Sequence, residues 1–441
     1  LYKNIIFYWQ KYKSSGLFNR FASGAFWSII AAAIARGLTL VTFIILARMI
    51  GKSSYGQLGM VQNTLGAISL LAGMGLGMSA TKYVAHFRDN DPGRAGKIIK
   101  FIISLAVGIA ILSAVVIILI APKLSEKVLN NQDLTWGLSL GSGLLLFGII
   151  NSTITGALSG LESYKAIARI NFISGVLGLP LILILAKLYG VPGSITGLVV
   201  SAAIACFLGR RALIKECRGR NIPIASRIYW EEKSVLWDFT LPAAISGFIV
   251  TPIIWTANVM LIKLPDGYSQ MGIFTAAQQW QTAIMFLPVS LSPLVLSMLS
   301  NVFYMGDKYG YNKLLYLSFL SNGLVALVGT LLVVLLAPSI MRWYGAGFNE
   351  GWPVLTLMAS SAFLMALSNV VGQVIASSSS MWIGLLLNTM WAIVFLTVAM
   401  ISVKTKGALG LAQAYAISYF CHLVWSMIYL SFVFKRSKRS S

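Results

Sequence analysis

The chain has 441 residues, of which 57% are hydrophobic and only 10% charged, and its mean hydropathy is +0.80. A soluble domain of that balance would expose far too much apolar surface, so the composition excludes a soluble globular fold and implies a polytopic membrane protein. The net charge of +22 comes from 34 Lys and Arg against 12 Asp and Glu; in such a protein the excess is chiefly an orientation signal, and no nucleic acid partner is implied.

The opening LYKNIIFYWQKYKSSGLFNR mixes aromatic and basic residues without a cleavage site, which predicts an amphipathic interfacial leader over 1–20. A first span is predicted over 25–50 and a second over 55–85, joined by a turn at Gly51, Lys52, Ser53 and Ser54. Asp91, Pro92 and Gly93 mark the next turn, before a third span that runs to Pro122. A fourth follows at 135–161, a fifth ends near Lys187, and the turn YGVPGS at 189–194 opens a sixth. Residues 217–233, in the longest polar stretch of the chain, read as a cytoplasmic linker. Six more spans are predicted at 235–263, 271–304, 313–337, 352–376, 381–402 and 407–434, ahead of a basic tail at 435–441. The expected fold is all-α and integral to the membrane, with twelve transmembrane helices in an N-lobe (21–216) and a C-lobe (234–434).

The two lobes read as copies. YGQLGM at 55–60 returns as YSQMGI at 268–273, LIAPKL at 119–124 as LLAPSI at 335–340, and Asn151 as Asn369. GVPGSITG at 190–197 matches GALGLAQA at 407–414 more loosely, and the offsets stay between 213 and 218. An even number of spans per copy makes the repeat parallel, related by an axis along the membrane normal. Apart from Arg36 and Lys82, the basic residues divide as 23 on the side of both termini and nine on the other, which predicts cytoplasmic termini.

Arg36 lies near the middle of the first span, where a cation costs at least ~2.5–3.5 kcal/mol unless it meets water, protein or an anion. The twelve carboxylates fall in loops or near helix ends, with Asp238 within about a turn of the start of the seventh span. That pattern counts against an exporter of cationic drugs, which needs a deep acid, and favours an anionic substrate. Lys82, toward the cytoplasmic end of the second span, is a second candidate for the anion and equally a snorkelling surface residue. Gln62 and Asn63, then Trp255 and Asn258 with Thr251 on one face of the seventh span, offer amides and an indole to sugars. Gln278 and Gln281 with Thr282 and Met285 do the same in the eighth; all can also serve as glue between helices. Pro180, Pro242, Pro252, Pro288 and Pro293 mark places where spans can kink, and Gly73, Gly75, Gly77, Gly156 and Gly160 allow close contact or bending. Cys206, Cys217 and Cys421, with His86 and His422, have no metal or catalytic spacing, so no enzyme, metal site or cofactor is implied.

LARMIGKSSYGQLGM after an N-terminal span, the paired lobes, and GIFTAAQQWQTAIMFLPVSLSPLVLSMLS together resemble the polysaccharide transporters of the multidrug/oligosaccharidyl-lipid/polysaccharide (MOP) exporter superfamily, nearest the Wzx-type flippases. The resemblance covers residues 20–434 and implies a MATE-like V of two six-helix lobes around a cationic cavity. It implies as substrate an oligosaccharide on undecaprenyl pyrophosphate, flipped across the bacterial cytoplasmic (inner) membrane by a monomer working with membrane lipids and polymerase or ligase machinery. Intramembrane cations of the first lobe carry the role in that family, here Arg36 and Lys82; many relatives have an Asp where this chain has Asn258. An ion-coupled multidrug or metabolite antiporter of the same fold is the alternative. A fluorescent protein that matures only in the cytoplasm, fused after Ser441, should be bright; a dark fusion in correctly inserted protein would reverse the orientation.

Overall fold

The computed structural model describes residues 16–73, 75–224, 250–304, 308–377 and 381–439. Most of the leader, the linker from residue 225, and the start of the seventh span with Asp238 and Pro242 lie outside the described residues. The helices are α1 (Gly16–Gly73), α2 (Leu76–Phe87), α3 (Pro92–Lys123), α4 (Leu134–Gly160), α5 (Tyr164–Gly219), α6 (Val250–Ile262), α7 (Gly267–Tyr304), α8 (Lys308–Trp343), α9 (Trp352–Ser377) and α10 (Met381–Arg439). A π turn (Leu124–Val128) follows α3 and a 3-10 turn (Ala346–Gly351) follows α8.

Three of these helices are too long for one crossing. At ~1.5 Å per residue a straight α5 would run roughly 84 Å, against a hydrocarbon core of ~30 Å. Each is broken by one glycine at positive φ: Gly51 in α1 (φ 78°), Gly190 in α5 (φ 61°) and Gly407 in α10 (φ 56°). Only a residue without Cβ adopts that conformation at little cost, and it turns the chain back on itself. The arms pair across each break. Ser201 Oγ donates to the Ser174 carbonyl at 3.3 Å, and the Phe395 and Tyr415 rings meet at 5.0 Å. Across Gly51, Phe43 and Tyr55 meet edge-on at 6.4 Å. Seven segments among the described residues are long and apolar enough to cross a membrane, and they include these three hairpins.

One expectation needs correcting. The continuous second span over 55–85 is two helices, because Gly75 (φ 86°) takes the left-handed conformation between α1 and α2. In α5 the break falls at glycine: the helix continues through Pro180 and Pro192 and leaves helical geometry only at Gly190. Pro122 and Pro338 lie within α3 and α8, near the ends of those helices. Gly77, Gly156 and Gly160 serve contact. A Cβ on Gly156 would overlap the Gly77 carbonyl, and Thr81 Oγ1 donates to the Gly156 carbonyl at 2.9 Å.

The apolar core has one shared part and two separate ones. A cluster running from Phe43, Leu46 and Tyr55 through Leu129 and Ile195 to Phe274, Met341, Leu355 and Tyr415 joins both halves of the chain. A second, with Val84, Ile98, Ala157 and Leu213, belongs to the first half, and a third, with Leu299, Leu315, Val371 and Leu430, to the second. In α3 the residues from Ala95 to Ala110 lie in the separate core, and Ile117 and Ala121 in the shared one. The halves are therefore fused at the end that carries Gly51, Gly190 and Gly407, and have their own cores at the other.

Copies of the repeated motif meet at the fused end. A Cβ on Gly56 would overlap the Tyr268 carbonyl, one on Gly272 the Lys52 carbonyl, and one on Gly59 the Thr275 hydroxyl. Tyr268 Oη donates to the Leu129 carbonyl of the first half at 2.6 Å. Its counterpart Tyr55 lies in the second half's turn, against Tyr344 at 6.2 Å and Phe348 at 6.0 Å. Each copy thus inserts its tyrosine beyond the third helix of the other copy, which is the reciprocity a two-fold relation produces. Gly56→Ala should cost about 1–3 kcal/mol by overpacking and lower the melting temperature, whereas Gly66→Ala, with nothing within 4 Å of its Cβ, should leave it unchanged.

Candidate functional site

Arg36 lies in the first arm of α1, half-buried, and reaches across to the second half. Its Nη2 donates to the backbone carbonyl of Gln279 in α7 at 3.4 Å, while Nε is buried without a hydrogen-bond partner. A guanidinium has five donors, and one long bond to a neutral acceptor leaves most of that capacity for another ligand. Among the described residues the carboxylates lie at helix ends and turns, and those in ion pairs serve Arg88 and Arg220. Arg88 bridges Asp89 (3.1 Å) and Glu162 (2.7 Å) and donates to the Gly160 carbonyl, clamping the end of α2 to the α4–α5 turn. The positive charge at Arg36 thus stands without an acidic partner in the described structure.

Beside Arg36 lies an aromatic pair: Trp280, which the sequence places beside the polar face of the eighth span, and Tyr344, which sequence reasoning missed. Trp280 follows Gln279, and its Nε1 donates to Tyr344 Oη at 3.1 Å. Tyr344 is fully buried just past α8; burial pushes its hydroxyl pKa up, against the Trp280 bond and the nearby positive charge of Arg36. Tyr344 therefore stays neutral, and its proton remains available to donate.

The other candidates divide. Trp255 in α6 donates through Nε1 to Thr64 Oγ1 in α1 at 3.0 Å, a second bond between the halves. Asn258 is 1% exposed and neither atom of its amide has a protein partner, a costly state for a buried polar group. Gln281 is buried and donates to Ser361 Oγ in α9 at 2.9 Å, which makes it packing within the second half. Gln278 is half-buried, and its carbonyl accepts from Thr282 Oγ1. Gln62 and Asn63 are half-buried beside Thr64. Lys82 is exposed in α2 with its ammonium 5.3 Å from the Tyr83 ring, and it lies between Ala80 and Val84 of the first half's separate core. The structure thus brings Arg36 to α7 and Trp255 to α1, and sets Lys82 beside the first half's separate core, apart from the shared one.

A family model described as "Polysaccharide biosynthesis protein" matches residues 21–299. The chain belongs to that family. It is 21% identical over 413 residues to the EPS I polysaccharide export inner membrane protein EpsE of Ralstonia nicotianae (strain ATCC BAA-1114 / GMI1000), covering 93% of both chains. It is 24% identical over 286 residues to the lipid III flippase of Escherichia coli (strain K12), covering 64% of this chain and 67% of that one. Among solved structures it resembles the lipid II flippase MurJ in an inward closed conformation, with TM-score 0.71, 14% identity, and 91% and 87% of the chains covered. An inward-facing multidrug resistance MATE family transporter of the MOP superfamily gives TM-score 0.70 at 14% identity, over 91% and 99% of the chains. The fold is that of MOP transporters.

The geometry separates packing residues from ligand candidates. Gln281→Leu should lower thermal stability by about 0.5–1.5 kcal/mol and leave transport intact, since Ser361 keeps its bond to the Met358 carbonyl; lost transport at normal membrane levels would make Gln281 a ligand.

Proposed function

We propose that the protein is a flippase that moves a lipid-linked oligosaccharide, carried on undecaprenyl pyrophosphate, from the inner to the outer leaflet of the bacterial cytoplasmic membrane. One observation carries the reading: Arg36, a cation with no acidic partner among the described residues and a buried orphan donor, sits where the two halves meet. A diphosphate is the ligand whose oxygens match a guanidinium fork and whose charge offsets its desolvation. The family match and the export and flippase relatives support the class of substrate.

In this reading twelve spans form two lobes, with α1 (its second arm continued by α2), α5 and α10 each crossing twice and both termini cytoplasmic. The fused end, with its outward-side turns at Gly51, Gly190 and Gly407, is the outer closure, and the split cores face the cytoplasm. The headgroup enters from the cytoplasm and binds Arg36. The sugars lie against amides and indoles of α1, α6 and α7, with Gln62, Asn63, Asn258 and Gln278 as the candidates the described bonds leave available. The prenyl tail stays in lipid, and rocking of one lobe against the other exchanges the open side. A membrane potential, negative inside, favours outward movement of an anion by about 2.3 kcal/mol per charge per 100 mV, so a deep carboxylate is not needed for drive. An ion-coupled drug antiporter of this fold would need such an acid. The flippase works beside the polymerase or ligase that consumes its product.

Arg36→Ala should abolish polysaccharide export in a strain lacking its own flippase while the protein still accumulates in the membrane. Arg36→Lys, which keeps the charge and loses the fork, should retain a small fraction of activity. Full export by Arg36→Ala would remove the headgroup assignment.

A further inference from the structure

We infer that Arg36 is also the latch of the fused end, and that the anion it binds is what opens it. The inference rests on the headgroup reading above and adds to it the coupling between binding and movement.

Among the described residues, the side-chain bonds that tie the halves together include these three: Tyr268 Oη to the Leu129 carbonyl (2.6 Å), Trp255 Nε1 to Thr64 Oγ1 (3.0 Å) and Arg36 Nη2 to the Gln279 carbonyl (3.4 Å). The Arg36 bond is the longest of the three and the one that carries charge. It is also the one a substrate can replace. A phosphate oxygen competes with a neutral carbonyl for the same guanidinium, and a charge-assisted bond is about twice as strong as a neutral one. Bidentate engagement would also satisfy the buried Nε, which the closed arrangement leaves without a partner.

The carbonyl that Arg36 holds is wired to the plug. Gln279 precedes Trp280, whose indole N–H is tied to Tyr344; Tyr344 packs on Tyr55, and Tyr55 adjoins Gly56 at the crossing with Gly272. Taking Arg36 from Gln279 therefore removes a cross-half bond beside the aromatic contacts that seal this end. A ligand shifts a conformational equilibrium only by its difference in affinity for the two states. Here the difference is explicit: in the closed state the anion must displace Gln279, and in the open state it need not.

Asp133 and Glu350 are exposed, lie at the fused end in opposite halves, and offer a reporter pair. With Cys206, Cys217 and Cys421 replaced by Ala, spin labels at Asp133→Cys and Glu350→Cys in nanodiscs report separation by double electron–electron resonance. Undecaprenyl pyrophosphate is the probe, and its binding is measured in parallel. The short distance should dominate without lipid, and the lipid should raise the long-distance fraction several-fold. Arg36→Ala should raise that fraction without lipid and abolish the response to it. Thr64→Val, which removes the neutral bond from Trp255, should loosen the same end yet keep the lipid response. If Arg36→Ala loses lipid binding but leaves the lipid-free distribution unchanged, the headgroup reading stands and the latch is overturned. If the variant opens the end yet still binds lipid as the wild type does, the coupling is overturned and the headgroup assignment fails with it.

Discussion

A guanidinium held between two halves of an apolar protein, answered by one backbone carbonyl, sets the terms for the rest of the molecule. A charge cannot be left in hydrocarbon at the cost of a few contacts, so the surroundings must supply an anion, water or a dense array of acceptors. Among the described residues no carboxylate does so. Acids instead occupy the ends of the molecule, where Arg88 and Glu162 fasten helices together without entering the interior. Segregating the two signs in this way leaves Arg36 as a cation without a described counter-charge, the arrangement on which the proposed anionic ligand rests.

The fused end is built on small residues. Gly56 and Gly272 let two helices approach until their backbones touch, and the tyrosine one residue before Gly56 and the one four before Gly272 each insert into the opposite copy. A contact that small residues make is broad but shallow: it depends on close fit and buries no large anchoring pair of charges. Such a seam can close firmly and still open without leaving stranded charges. Separate cores at the other end are the complement of this arrangement: there each half buries its own apolar residues without the other.

Much of the architecture could be read from residue order. The turns at Gly51, Gly190 and Gly407 stand out because glycine falls between long apolar runs, and Arg36 because one charge interrupts such a run. Gly75 was harder: it sits among Gly73 and Gly77, and nothing in a cluster of glycines says which one adopts positive φ and which ones merely make room. The candidate site was legible as chemistry and illegible as geometry. The partner of Arg36 is a main-chain carbonyl, which every residue has, and Tyr344 lies some three hundred positions away at the end of another helix. Trp255 and Asn258 share a helical face, as their spacing requires, yet one reaches Thr64 and the other has no protein partner, because neighbouring helices decide what each position on a face meets.

The single-residue turns carry a consequence for how the molecule moves. Two helices joined at one glycine, with their arms in contact along their length, cannot slide past each other by even a turn without breaking the joint. The rigid bodies are then pairs of helices, and any displacement has to be taken up in the longer connections elsewhere. A change of shape in this protein is a rearrangement of hairpins, with far fewer degrees of freedom than its number of helices suggests.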